Sequence, residues 1–259
     1  MRFAFESLAI IIALLLAMLA AQAWGRRLGE RHRLLGGSDG KNPFGATEGA
    51  VFAMLGLFLA FAFSGAGSRF DDRRQLIVQE TNAIGTAWLR IELLPADAQP
   101  EIRALFREYL DARLATYRLV AQEQSYGSAR VRYTDLQQRI WTASVRAARA
   151  SGETPPAMLM LPALNEMIDI TTTRYGATRI HPPAAVYATI AFLAIVSSVF
   201  VGYDAAGSNL RSAMHSLAFA AMLVLVLYVI VDLEFPRLGL IRVDDMDRLL
   251  IDLRKSMDP

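Results

Sequence analysis

The 259-residue chain has no cysteine. Disulfides, thiolate metal sites and cysteine nucleophiles are therefore excluded. It also lacks a lysine-rich tail and any stripe of alternating aromatic and basic residues. With a formal charge of only +2, nothing marks it as a nucleic-acid binder. No serine elbow, Walker loop, HExxH pair or dinucleotide fingerprint is present. His32, His181 and His215 do not fall at metal-ligand spacing. We therefore expect no enzyme, no cofactor and no metal.

Charge is missing from four long stretches as well. Residues 7–25, 49–68, 182–203 and 212–231 contain no Asp, Glu, Lys or Arg. Each is close to the roughly 20 residues that carry a helix across a bilayer core. A water-soluble helix of that length would show a charged face. The chain thus reads as four transmembrane helices, with the lipid bilayer as its first partner. The first stretch is not expected to be a cleaved leader. Its apolar part exceeds a usual h-region, and Gln22-Ala23-Trp24-Gly25-Arg26-Arg27 is a poor cleavage site. Residues 25–45 begin arginine-rich and end in a Gly/Ser/Asn/Pro run, 36–43, with the composition of a flexible loop. The second span, 46–67, is rich in glycine and alanine, which suits close helix packing.

Residues 68–181 are too many for a simple loop and carry arginine but no lysine. Their periodicity is helical. Ile77, Ile84, Trp88 and Ile91 share one face, continuing the second span as one long helix from Phe58 to Arg90, or two nearly collinear ones. Leu94-Pro95 ends it, because the residue before proline leaves the α region. A helix after Pro100 lines up Ile102, Leu105, Phe106, Tyr109, Leu110 and Tyr117. A third, 129–150, offers Val131, Leu136, Ile140 and Trp141; a fourth opens at Pro155-Pro156 and offers Leu161, Leu164, Ile168 and Tyr175. Residues 203–211 read as a short turn between the last two spans. The tail 244–255 forms a short amphipathic helix with Met246, Leu249, Leu250 and Leu253 on one side.

The expected fold class is therefore all-α: four transmembrane helices with a large extramembrane helical region between the second and third spans. The divisions are 1–67 (spans one and two), 68–181 (helical region), 182–232 (spans three and four) and 233–259 (tail). An even span number puts both termini and the helical region on one side. That side has Arg2, Arg69, Arg73, Arg74, Arg174, Arg179, Arg237, Arg242 and Arg248 near the span ends. The other has Arg26, Arg27, Arg31, Arg33, Lys41 and Arg211. The balance places the helical region and the termini in the cytoplasm, although the short 26–33 cluster pulls the other way.

Certain runs resemble a known family. Leu55-Gly56-Leu57, Ala66, Ser68, Arg69-Phe70-Asp71 and Arg73-Arg74 are similar to the pore helix and junction of the bestrophins. The run Glu80-Thr81-Asn82-Ala83-Ile84-Gly85-Thr86-Ala87-Trp88-Leu89-Arg90, then Leu93-Leu94-Pro95 and Asp232…Pro236…Gly239, resembles the bacterial bestrophin-like membrane proteins over nearly the whole chain. The resemblance implies a homo-oligomer in the bacterial inner membrane, a pentamer if it follows the bestrophins. It also implies conduction of chloride or another small anion. Two features depart from that pattern. The tryptophan after the junction arginine is replaced by Asp72-Arg73-Arg74, and the calcium-binding acidic cluster of animal bestrophins has no counterpart.

On this resemblance Leu55, Leu59 and Phe63, one helical turn apart, are pore-lining candidates. Such a stripe would gate by dewetting, although a plain packing stripe has the same spacing. Arg69, Arg73 and Arg74 either attract anions at the pore mouth or snorkel to headgroups. Asn82, Thr86 and Arg90 recur every four residues beside Glu80. If the helix after the second span runs antiparallel to the one before the third, Glu80 lies level with Asp169, and Asn82 near Glu166. A buried carboxylate needs a cation, so Glu80 or Asp169 should pair with Arg73, Arg74 or Arg174, as a structural rather than catalytic network. The competing reading is a non-conducting scaffold or sensor whose helical region binds a partner.

Overall fold

The computed structural model describes residues 2–35, 45–121, 126–152, 154–207 and 210–258, and these are helical with no strand among them. Eight α-helices follow one another: α1 Arg2–Leu34, α2 Gly45–Leu89, α3 Gln99–Ala121, α4 Tyr126–Ala150, α5 Thr154–Ala177, α6 Ala184–Asp204, α7 Leu210–Glu234 and α8 Asp247–Ser256. A 3-10 turn, Arg90–Leu93, follows α2, and another, Asp244–Met246, precedes α8. The chain divides into two compact units. One holds Arg2–Ser68 with His181–Phe235, the other Arg69–Ile180 with Pro236–Pro259.

The first unit contains the apolar helices. Among the described residues four helices are long and apolar enough to cross a membrane. The main packing is α1 along α6, and glycine permits it. A Cβ on Gly202 would come within 2.7 Å of the Gln22 backbone, and one on Gly25 within 2.9 Å of the Val199 carbonyl carbon. Close backbone approach substitutes here for hydrophobic drive, which lipid does not supply between helices. Gln22, buried in α1, donates from Nε2 to the Ser216 carbonyl of α7 at 2.9 Å. Phe52 of α2 meets Phe219 of α7 edge-on, with centroids 5.8 Å apart.

The charge-free stretch 7–25 does not end the helix: α1 continues through the arginine-rich segment to Leu34. Arg, Leu and Glu are good helix formers, and the Arg26–Glu30 pair at 3.2 Å supports the extra turns. The loop expected at 36–43 lies outside the described residues.

The second unit is a helical bundle around one core. The lower part of α2 contributes Ile77, Ala83, Ile84 and Ala87, and the 3-10 turn adds Ile91. All six expected α3 residues, from Ile102 to Tyr117, are buried in it. Leu94 ends the α2 segment in extended geometry (φ −87°, ψ 157°), as its following proline requires. Helix α4 differs from expectation. Its buried face is Tyr133, Leu136, Ile140, Ala143 and Ala147, whereas Val131 is 71% exposed. Two residues is about 200° around a helix, so Val131 points away from the face that Tyr133 begins. Leu249 of α8 is likewise on the rim, and Leu250 is the buried residue. Gly152, with φ +67°, terminates α4 in the left-handed conformation that glycine adopts without penalty.

Candidate functional site

Helix α2 is unbroken over 45 residues. At 1.5 Å per residue it is about 68 Å long, roughly twice the 30 Å of a hydrocarbon core. Its apolar part ends at Ser68, and the segment from Arg69 onward belongs to the second compact unit. The proposed pore stripe lies in the apolar part, but its three members are not equivalent. Leu55 is 2% exposed within a single chain, Leu59 is half-buried and Phe63 is 49% exposed. Met54, Leu57 and Phe61 also lie open on this helix.

The arginines that follow have different tasks. Arg73 is buried, donating from Nε to the Ala177 carbonyl and from a terminal nitrogen to the Ile180 carbonyl, both at 3.1 Å. It thus satisfies carbonyls at and just beyond the C-terminus of α5, where a cation also meets the negative end of the helix dipole. Arg74 is exposed, paired with Asp71 at 3.3 Å and placed over the Phe70 ring. Arg69 is half-buried.

One turn and a half below Arg74 sits Glu80, with no solvent exposure. Helix periodicity puts it on the same side as Ile77 and Ile84, facing the core. Arg113 of α3 donates from Nε to its Oε1 at 2.7 Å. The Tyr117 hydroxyl donates to Oε2 at 2.8 Å, and Arg174 of α5 donates to the same oxygen. Arg113 also donates to the Tyr117 hydroxyl at 2.7 Å. Three helices are thereby joined at one carboxylate. Burial by itself would raise the Glu80 pKa. The Arg113 charge, then that of Arg174, and the hydrogen bonds of both outweigh it and lower the pKa from 4.5 to about 2. Burial raises Tyr117 well above a normal phenol, so it keeps the proton it donates.

The Tyr117 ring collects a further cation. Arg174 lies 4.5 Å and Arg237 4.6 Å from its centroid, on the scale of cation–π contacts. Arg237 in turn grips Asp247 with two hydrogen bonds, 2.8 and 2.9 Å, at the start of α8. The tail is fixed a second time, where Arg254 pairs with Asp111 at 2.9 Å. The buried charges of Glu80, Arg113 and Arg174 balance one another, which suits cohesion between the helices. Among the described residues no group of His, Asp and Glu is arranged to hold a metal ion.

Of the expected polar residues, Glu80 and Arg174 are brought together. Asp169 is not with them: it is exposed, its carbonyl accepting from Thr173. Asn82 is exposed and so is Glu166, while Thr86 is half-buried. The α5 residue at the Glu80 carboxylate is therefore Arg174, five positions beyond Asp169. Arg90 donates to the Leu159 carbonyl at 2.6 Å. That carbonyl adjoins the one that Pro162, inside α5, leaves without its helical donor. Arg113 is absent from the sequence expectation, although Tyr109, Arg113 and Tyr117 are four apart on an otherwise apolar face. That spacing was the available signal.

The profile of the bestrophin-like domain matches residues 42–246. The fold is shared with solved structures of a bacterial bestrophin homologue from Klebsiella pneumoniae. One is 15% identical with a TM-score of 0.72, covering 96% of this chain and 100% of the other. A point-substituted form is also 15% identical, with a TM-score of 0.71 and coverage of 95% and 99%. No curated protein matches the chain in sequence.

Proposed function

The chain belongs to the bestrophin-like family, and on that premise we propose that it is an anion channel. It assembles as a homo-oligomer, a pentamer on the bestrophin pattern, and passes chloride or another small anion along an axis lined by the membrane part of α2. The observation that carries this reading is α2 itself. It is a single 45-residue helix whose apolar half leaves Phe63 open and Leu59 half-open, one turn apart. A pore between copies is lined only by side chains that one copy leaves uncovered. Leu59 and Phe63 meet that condition, whereas Leu55 packs inside its own chain. Arg69 and Arg74, just past the apolar stretch, add positive potential where an anion would enter; Arg73 is committed to the α5 carbonyls.

Glu80, Arg113, Arg174 and Tyr117 hold the helical unit in one shape, with Arg90 tying α2 to α5. This unit and both termini are cytoplasmic, in the bacterial inner membrane, as the balance of arginines at the span ends supports. No catalytic step is assigned. The test is a structure of the assembled protein together with its mass in detergent. An axis surrounded by α2 from each copy, with Phe63 facing it, is the expected result. A monomer or dimer, or a stoichiometric protein partner seated on the helical unit with α2 packed away from any axis, would instead make the chain a scaffold.

A further inference from the structure

The four-span unit contains a cavity of about 710 Å³ among α1, α6 and α7. Its walls are apolar, and small side chains widen it: Ala13 and Ala17 on α1 and Ala188 and Ala191 on α6 all line it. The slot opens to the surface of the helices, since Ala13, Ala17 and Ala188 are exposed. Water entering it would find few polar partners. The slot has a direction. On α1 it runs from Ile10 to Ala17, seven residue steps, and from Leu227 of α7 to Phe235 just past its end, eight steps. At 1.5 Å per residue that is about 10–12 Å along the helices. At one end are His181 and Phe235, where the chain enters α6 and leaves α7. Their rings stack at 4.8 Å, and the imidazole Nδ1 lies 3.2 Å from buried Glu234. The other end lies in the hydrocarbon-depth part of the spans.

We propose that this slot is a binding site for one acyl chain of a membrane phospholipid, whose headgroup lies at the His181 end. The occupant follows from continuity with the lipid-facing surface: Ala13, Ala17 and Ala188 on the slot are exposed on helices that cross the bilayer. The solvent on that surface is acyl chain, and the slot is elongated, apolar and polar at its membrane-boundary end. It serves as a fixed lipid site whether or not the chain conducts ions.

The full-length protein, purified in mild detergent, is titrated with phosphatidylglycerol and weighed by native mass spectrometry. The unaltered protein is expected to retain lipid adducts at low lipid concentration. Ala188→Trp, which fills the slot, should raise the lipid concentration needed for the same occupancy by about tenfold, equivalent to about 1.4 kcal/mol. Ala17→Leu, a smaller filling on the opposite wall, should act in the same direction and guards against misfolding of the first variant. Met222→Trp, on an exposed part of α7 outside the slot, should leave occupancy unchanged. Equal lipid retention in all four proteins would overturn the proposal. So would filled variants that keep their lipid but change the number of subunits, because the slot would then be a contact between copies.

Discussion

Arg113 and Glu80 form an ion pair at 2.7 Å with 2% and 0% side-chain exposure, on helices 33 residues apart in sequence. A pair so buried is stabilising only while both members are present. Removing Glu80 leaves Arg113 and Arg174 without their carboxylate in a low-dielectric core, and removing Arg113 leaves Glu80 only Arg174 and Tyr117. Arg113→Ala and Glu80→Ala should each destabilise the helical unit by about 3–5 kcal/mol. Denaturant unfolding of the detergent-solubilised protein measures this. The double variant should lose less than the sum of the two, since the Arg113–Glu80 interaction is lost only once; Arg174 remains without its carboxylate.

The same carboxylate makes stability depend on acid. Glu80 is lowered to about 2 in the folded chain against 4.5 for an ordinary glutamate. The folded form binds the proton less readily, so the stabilisation is complete above 4.5 and disappears as the pH falls toward 2. Thermal melting should show the gap between the unaltered protein and Glu80→Gln narrowing across that window. A gap constant with pH would contradict the assignment.

Arg73 gives a smaller, more local effect. Its two bonds to the Ala177 and Ile180 carbonyls are charge-assisted. Arg73→Ala should cost about 1.5–3 kcal/mol. The residues at the end of α5 should exchange their amide hydrogens faster, while those of α3 and α4 change little. If Arg73 faced open water as an anion-attracting group, exchange in α5 would not respond.

Packing of the spans makes a fourth prediction. Gly202→Leu forces a side chain into the Gln22 backbone. The variant should yield little monodisperse protein on size-exclusion chromatography. Gly49→Ala in α2 meets nothing within 4 Å and should be neutral or slightly stabilising, as alanine favours a helix interior over glycine.

The sequence was most legible where one periodicity dominated. Charge-free runs of bilayer length announced the spans, and the α3 face from Ile102 to Tyr117 was readable in full. Legibility failed where two signals compete. Val131 is apolar by type but off the α4 face, because Tyr133 and the alanines at 143 and 147 set that face. Arg113 is polar by type but sits on an apolar face, since its charge is met by Glu80 from a distant segment. Leu55, Leu59 and Phe63 share spacing but not environment, which depends on what neighbouring helices cover. Glu80 with Arg174 could be reasoned out because a buried acid needs a cation; which helices supplied them required the packed bundle.

Anion conduction by an assembly of this chain is read out by the reversal potential in planar bilayers. Purified protein is fused into a bilayer under a potassium chloride gradient. The current should reverse near the chloride equilibrium potential, and Leu59→Ala and Phe63→Ala should enlarge it by opening the apolar constriction. A verified oligomer that carries no current, or whose current reverses at the potassium potential, would contradict it.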